Sequence, residues 1–203
     1  PKPSSAASDV YKRQASKASF LEVAYLLIFG ELPNKDELEK FHSDIVEQSI
    51  VADDVKKIID AFPGAAHPMG VLSSLTSALT AFNPDDVSLD YARSKEEMYN
   101  TIVKVMGKIP VLISWTFRKK NGFPLEYSSK TRNLDYVENI LQMMFKRPNE
   151  DYVQNTVLVD VLNKLLILHA DHEQNCSTST VRIVGSAQTG LFASISAGIS
   201  ALW

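Results

Sequence analysis

The densest group of reactive side chains in this sequence is the run His169-Ala-Asp171-His172-Glu173-Gln-Asn175-Cys176-Ser177-Thr178-Ser179-Thr180-Val-Arg182. Two imidazoles, two carboxylates and a hydroxyl cluster stand where an apolar stretch gives way to small residues. Ionisable groups beside a core-like run are costly to desolvate unless they are paired or used. His169 and His172 are one helical turn apart on a shared face, and Cys176 follows four residues later. Three such groups raise the question of a metal, but zinc wants a fourth ligand, and the remaining histidines, His42 and His67, are far away in sequence. The His–His gap is also three rather than the four of a metalloprotease helix, so no metal site is expected. Two readings stay open on the residues alone. In one, an imidazole caps the helix and Asp171 and Glu173 satisfy backbone donors. In the other, a histidine at the helix end holds a carboxylate, helped by hydroxyls of Ser177 to Thr180, backbone N–H groups of the next helix and the Arg182 charge.

Elements able to position this run are legible as helices. Ser19-Phe-Leu-Glu22 is a capping box and Gly30 a stop, with Leu21, Tyr25 and Ile28 on one face and Leu26 and Leu27 widening it. Asn34 caps a second helix with Glu37 at its third position and Leu38, Phe41 and Ile45 inward. Val55, Ile58 and Ile59 mark a short third helix before Pro63-Gly64. His67-Pro68 opens a fourth, with proline at the first helical position. Ser94-Lys-Glu-Glu97 starts a helix expected to run to about Met106, and Pro110 is read as starting another through Trp115 and Phe117. Leu134, Val137, Ile140, Leu141 and Met144 form a stripe ended by Pro148. Val157, Val161, Leu165 and Leu168 lead into the reactive run. Sustained alternation is absent, so the expected fold is all-α, with about eight helices.

Composition narrows the function classes. A net charge of -3 with interspersed acids and bases leaves no basic patch, so no nucleic-acid partner is expected. Cys176 is the single cysteine and cannot pair internally, which fits a reducing cytoplasm. Residues 1–14 lack apolar periodicity and a signal-like core, and are read as a non-native or disordered leader ahead of a folded part spanning 15–203. From Ile183 to Trp203 no residue is charged, but seven polar or small positions and a break at Gly190 argue for a closely packed helix of a soluble protein rather than a membrane span.

The run Leu166-Ile-Leu-His-Ala-Asp-His-Glu-Gln-Asn-Cys-Ser-Thr-Ser-Thr-Val-Arg182 resembles a signature stretch of citrate synthases, continuing through Val184-Gly-Ser186 to Phe192–Trp203. Phe20–Pro33, Ala66–Ser74 and Tyr136–Phe145 agree in the same order. The resemblance covers about Ala15 to Trp203 and is strongest to bacterial-type enzymes. It implies part of the all-α large domain, without the small domain, of an acyltransferase that joins acetyl-CoA to oxaloacetate and releases citrate and CoA. By the resemblance His172 hydrogen-bonds oxaloacetate and citrate, Asn175 assists beside it, His169 is a structural partner and His67 a helix-start residue. No cofactor beyond the substrates is implied, and the family assembles as homodimers or larger homo-oligomers. In the family an enol-stabilising histidine lies in a Gly-Pro-x-His-Gly-Gly-Ala-Asn segment directly after the tryptophan matching Trp203. The carbonyl-facing histidine and catalytic carboxylate come later, so the 203 residues alone are expected to be inactive. The small-residue faces of Val71–Phe82 and Ala193–Ala201 resemble the family's dimer-interface helices and are expected to be exposed in an isolated chain. The alternatives are 2-methylcitrate synthase, using propionyl-CoA, and a non-catalytic helical interaction module.

Overall fold

A computed structural model describes residues 17–86, 93–126, 134–171 and 174–203; the expectations attached to residues 1–14 and to His172 and Glu173 lie outside the described residues. Nine α-helices and one 3-10 turn are found among the described residues, with no β-strand. They are α1 (Phe20–Phe29), α2 (Lys35–Glu47), α3 (Asp54–Ala61), α4 (Pro68–Phe82), the 3-10 turn Pro84–Asp86, α5 (Lys95–Lys120), α6 (Tyr136–Phe145), α7 (Thr156–His169), α8 (Cys176–Ser186) and α9 (Leu191–Leu202). The chain divides into two compact units, residues 1–44 with 129–173 and residues 45–128 with 174–203.

In the first unit, helix starts follow from local chemistry. Ser19 accepts from the Glu22 amide while Glu22 accepts from the Ser19 amide, and Asn34 and Glu37 exchange the same pair of bonds. Asp135 and Glu138 form a third box that the stripe reading of α6 had not used. Gly30 ends α1 at φ +87°, a left-handed conformation that a β-carbon disfavours. Asn163 of α7 ties the entrance of α1, accepting from the Phe20 amide at 2.7 Å and donating to Ala18 O at 3.0 Å. Phe20 stacks on Tyr136 of α6, and Tyr25, Phe29 and Phe41 form a ring cluster. The predicted inward faces of two helices need correction. In α1 the buried residues are Leu21, Val23 and Ala24, whereas Leu27 and Ile28 are exposed. In α7 only Ile167 is buried; Val157, Val161, Leu165 and Leu168 all face outward. The packed face of α7 is the one that carries Asn163 and Ile167 toward α1.

The second unit is organised around α5. The sequence reading broke this segment before Pro110, but the structure carries one helix through it. A proline inside a helix removes a hydrogen bond and costs about 3 kcal/mol. Burial of Val111, Leu112 and Trp115 immediately after it supplies the compensation, and a broken helix would forfeit that packing. Gly107 permits close backbone approach: a β-carbon there would stand 2.5 Å from Ile45 O and 2.9 Å from Ser49 N. One residue later, the Lys108 ammonium donates to Gln48 O and Ile50 O. Trp115 Nε1 donates to Glu126 O at 2.6 Å, and Arg118 Nε donates to Pro124 O. Buried Asp86 gathers Thr101 at 2.6 Å, Lys104 at 2.7 Å and Arg93 at 3.1 Å.

The small-residue faces of α4 and α9 were expected to lie open, and in part they cover each other instead. Ser73 Oγ lies 3.0 Å from Ser196 O, 3.1 Å from Ser196 Oγ and 2.6 Å from Ser200 Oγ, and Ser196 Oγ donates back to Ser73 O at 2.8 Å. Small side chains let the two backbones approach, and buried hydroxyls at that distance must find each other. Gly190 caps α9, so the uncharged stretch from Ile183 is split between two helices. Among the described residues no helix is long and apolar enough to cross a membrane.

Candidate functional site

The reactive run spans the end of α7, a short connection and the start of α8. Asn155 starts α7 by accepting from the Val157 and Leu158 amides at 3.0 and 3.1 Å. At the other end His169 Nδ1 lies 2.7 Å from Leu165 O. A carbonyl oxygen only accepts, so Nδ1 is the donor in this contact. His172 and Glu173 lie outside the described residues, so the structure adds nothing to their expected roles.

Asn175 is the N-cap of α8, with extended backbone at φ -75°, ψ 179°. Its Oδ1 accepts from the Thr178 amide at 2.9 Å and from Ser177 Oγ at 2.8 Å. The side-chain oxygen is therefore committed to the helix, and the Nδ2 hydrogens are what Asn175 can offer an oxygen ligand. Two of the hydroxyls assigned to an anion site are committed too. Ser177 donates to Asn175, and Thr180 donates to Cys176 O at 2.9 Å, the usual back-bonding of a helical hydroxyl. Arg182 is exposed and sits seven positions after Asn175, about 10 Å of helical rise from the cap. Cys176 is exposed with a free thiol. Among the described residues no three His, Cys, Asp or Glu side chains gather as a metal group would.

What remains is an exposed N-terminal turn carrying the helix dipole, with backbone donors and one side-chain amide facing outward. That arrangement can bind an anion.

Two histidines outside the run have defined surroundings. His67 caps α4 by accepting from the Met69 amide at 3.3 Å, in keeping with its reading as a helix-start residue. His42 borders a cavity of about 300 Å³ in the first unit, shared with Phe20, Leu21, Leu38, Tyr136 and Asn163. Its Nε2 is buried without a hydrogen-bond partner, and burial pushes the imidazole pKa down against a smaller opposing pull from Asp135. Sequence reasoning counted His42 only as a distant histidine. Its position two-thirds of the way along α2, one residue after buried Phe41, is the only sign of this environment in the chain.

Comparison with known proteins supplies what the exposed turn alone leaves open. The family described as "Citrate synthase, C-terminal domain" matches residues 9–203. "Citrate synthase 1" of Mycobacterium tuberculosis is 45% identical over 189 residues, 93% of this chain and 43% of its own length. "Citrate synthase" of Corynebacterium glutamicum is likewise 45% identical over 189 residues, 93% of this chain and 42% of that protein. The crystal structure of citrate synthase from Pyrobaculum aerophilum superposes with a TM-score of 0.82 at 28% identity, covering 95% of this chain and 47% of that one. The chain thus spans less than half the length of each of these relatives.

Proposed function

Because the chain belongs to the citrate synthase family, we propose that the complete protein condenses acetyl-CoA with oxaloacetate and water, giving citrate and CoA. The observation that carries this reading is the family match across nearly the whole chain, together with the 45% identity to two citrate synthases. In the proposed mechanism the run at the α7–α8 connection holds the dicarboxylate. His172 donates a hydrogen bond to it, the Asn175 Nδ2 group assists, and the first-turn amides of α8 add a positive field. The proton-transfer groups, a carboxylate that takes the methyl proton and a histidine that stabilises the enol, lie by the resemblance outside these 203 residues. No cofactor beyond the two substrates is required. The same reading makes the enzyme a cytoplasmic homodimer or larger homo-oligomer, with Cys176 kept reduced.

The test is CoA release by the complete protein from acetyl-CoA and oxaloacetate. Replacing His172 with Ala is expected to raise the KM for oxaloacetate roughly 10- to 100-fold, the worth of one hydrogen bond to a charged group. The 203-residue chain alone is expected to release no CoA. Faster turnover with propionyl-CoA would replace the reading with 2-methylcitrate synthesis. A folded complete protein inactive with either thioester would leave a helical interaction module. Turnover by the 203-residue chain that His172→Ala abolishes would overturn the division of labour proposed here.

A further inference from the structure

The end of α9 is held on α4 by a contact that packing economy does not explain. Trp203 stacks its indole on the His67 imidazole, with ring centroids 5.2 Å apart and planes 15° from parallel. The indole remains 68% exposed, so little apolar area leaves water here; what the contact delivers is orientation. Three features make it a built seat. The His67 ring is oriented by its capping bond to the Met69 amide, so its face is fixed rather than swinging. Gly70, one turn further along α4, leaves the space the indole occupies: a β-carbon there would lie 3.3 Å from Trp203 Cη2 and 3.4 Å from Cζ3. Gly70 does not adopt a positive φ, so its backbone has no need of glycine. The Ser73–Ser200 bond at 2.6 Å then holds α9 three residues before the tryptophan.

We propose that Trp203, seated by the His67 ring and the space at Gly70, is a positioning residue that aims the chain leaving α9. This rests on the proposed citrate synthase reading, in which the enol-stabilising histidine lies in the segment directly after Trp203. A tilt of the indole is transmitted to that segment through one or two peptide units. Misplacing a reacting group by a fraction of an ångström slows the chemical step while leaving substrate binding largely intact.

The complete enzyme carrying Gly70→Ala, His67→Asn or His67→Phe tests this. Gly70→Ala crowds the indole while favouring the helix, so kcat should fall several-fold with KM nearly unchanged and Tm unchanged or higher. Asparagine keeps a cap acceptor and removes the ring, whereas phenylalanine keeps a ring and removes the acceptor. The expected order is therefore a roughly tenfold lower kcat for His67→Asn and near wild-type kcat, at lower Tm, for His67→Phe. If His67 acts only as a cap the order reverses, and that result overturns the proposal, as does an unchanged kcat in Gly70→Ala. Acrylamide quenching of the Trp203 emission, taken as the difference between each protein and the same protein carrying Trp203→Phe, reads the seat independently. Quenching should rise in His67→Asn and not in His67→Phe; equal quenching in all variants would show there is no seat. A wild-type protein inactive towards acetyl-CoA and oxaloacetate would overturn the catalytic reading and the positioning role with it, while the quenching order would still report the seat.

Discussion

Two ionisable residues, buried Asp86 and half-buried His42, show how differently the fold treats charge. Asp86 is buried, which pushes its pKa up, but hydrogen bonds from Lys104, Thr101 and Arg93 outweigh that and hold the carboxyl below its ordinary range. Its stabilising effect is present above about pH 4 and is lost as pH falls below that. His42 has no such company. Its buried Nε2 lacks a partner and its pKa is lowered, so the folded state keeps the ring neutral where the unfolded chain would protonate it. Below about pH 6.5 the unfolded state binds more protons, so stability should fall as pH drops through that window and downward to the folded value. Urea unfolding of the 203-residue chain between pH 7.5 and 5.5 should show this decline, and His42→Gln should flatten it. Parallel slopes for the two proteins would assign the decline to another group. At the same scale, the reactive run was legible as a cluster. That Asn175, Ser177 and Thr180 spend their oxygens on α8 itself was not, because a hydroxyl's partner depends on the helix start lying at Asn175.

At the scale of the element, capping chemistry was the most readable part of the sequence. Ser19, Asn34 and Ser94 each start a helix with the glutamate three residues on, because the reciprocal bonds are local. The continuous α5 was misread for the complementary reason: Pro110 is a local signal, and the packing that overrides it comes from residues distant in sequence. Gly107 offers the sharpest check on that packing. Alanine there would ordinarily help a helix by up to about 1 kcal/mol. Here its β-carbon would press on the Ile45 carbonyl and the backbone at Gln48 and Ser49, none of which is a flexible side-chain tip. Gly107→Ala should therefore destabilise by about 3 kcal/mol or more, read as a lower urea midpoint. A neutral or stabilising effect would mean that α5 does not approach this segment so closely.

For the whole molecule, α7 carries an apolar face turned outward. Val157 is 68% exposed and Leu165 46%, with Leu158, Val161 and Leu168 on the same helix also open. Five large apolar side chains on one exposed helix favour association. The 203-residue chain should self-associate with concentration in light scattering, and Val161→Lys with Leu165→Lys should reduce this. A wild-type chain that stays monodisperse at high concentration would show that this face is tolerated in water.

By itself, the sequence determined the all-α class, the capped helix starts and the family, because periodicity, capping and a contiguous signature are all written in neighbouring residues. Tertiary structure alone decided which apolar faces are covered, whether α5 passes through Pro110, and that Trp203 rests on His67 beside Gly70. Each of these depends on residues brought together from distant parts of the chain, and no local pattern encodes which of several apolar faces will find a neighbour.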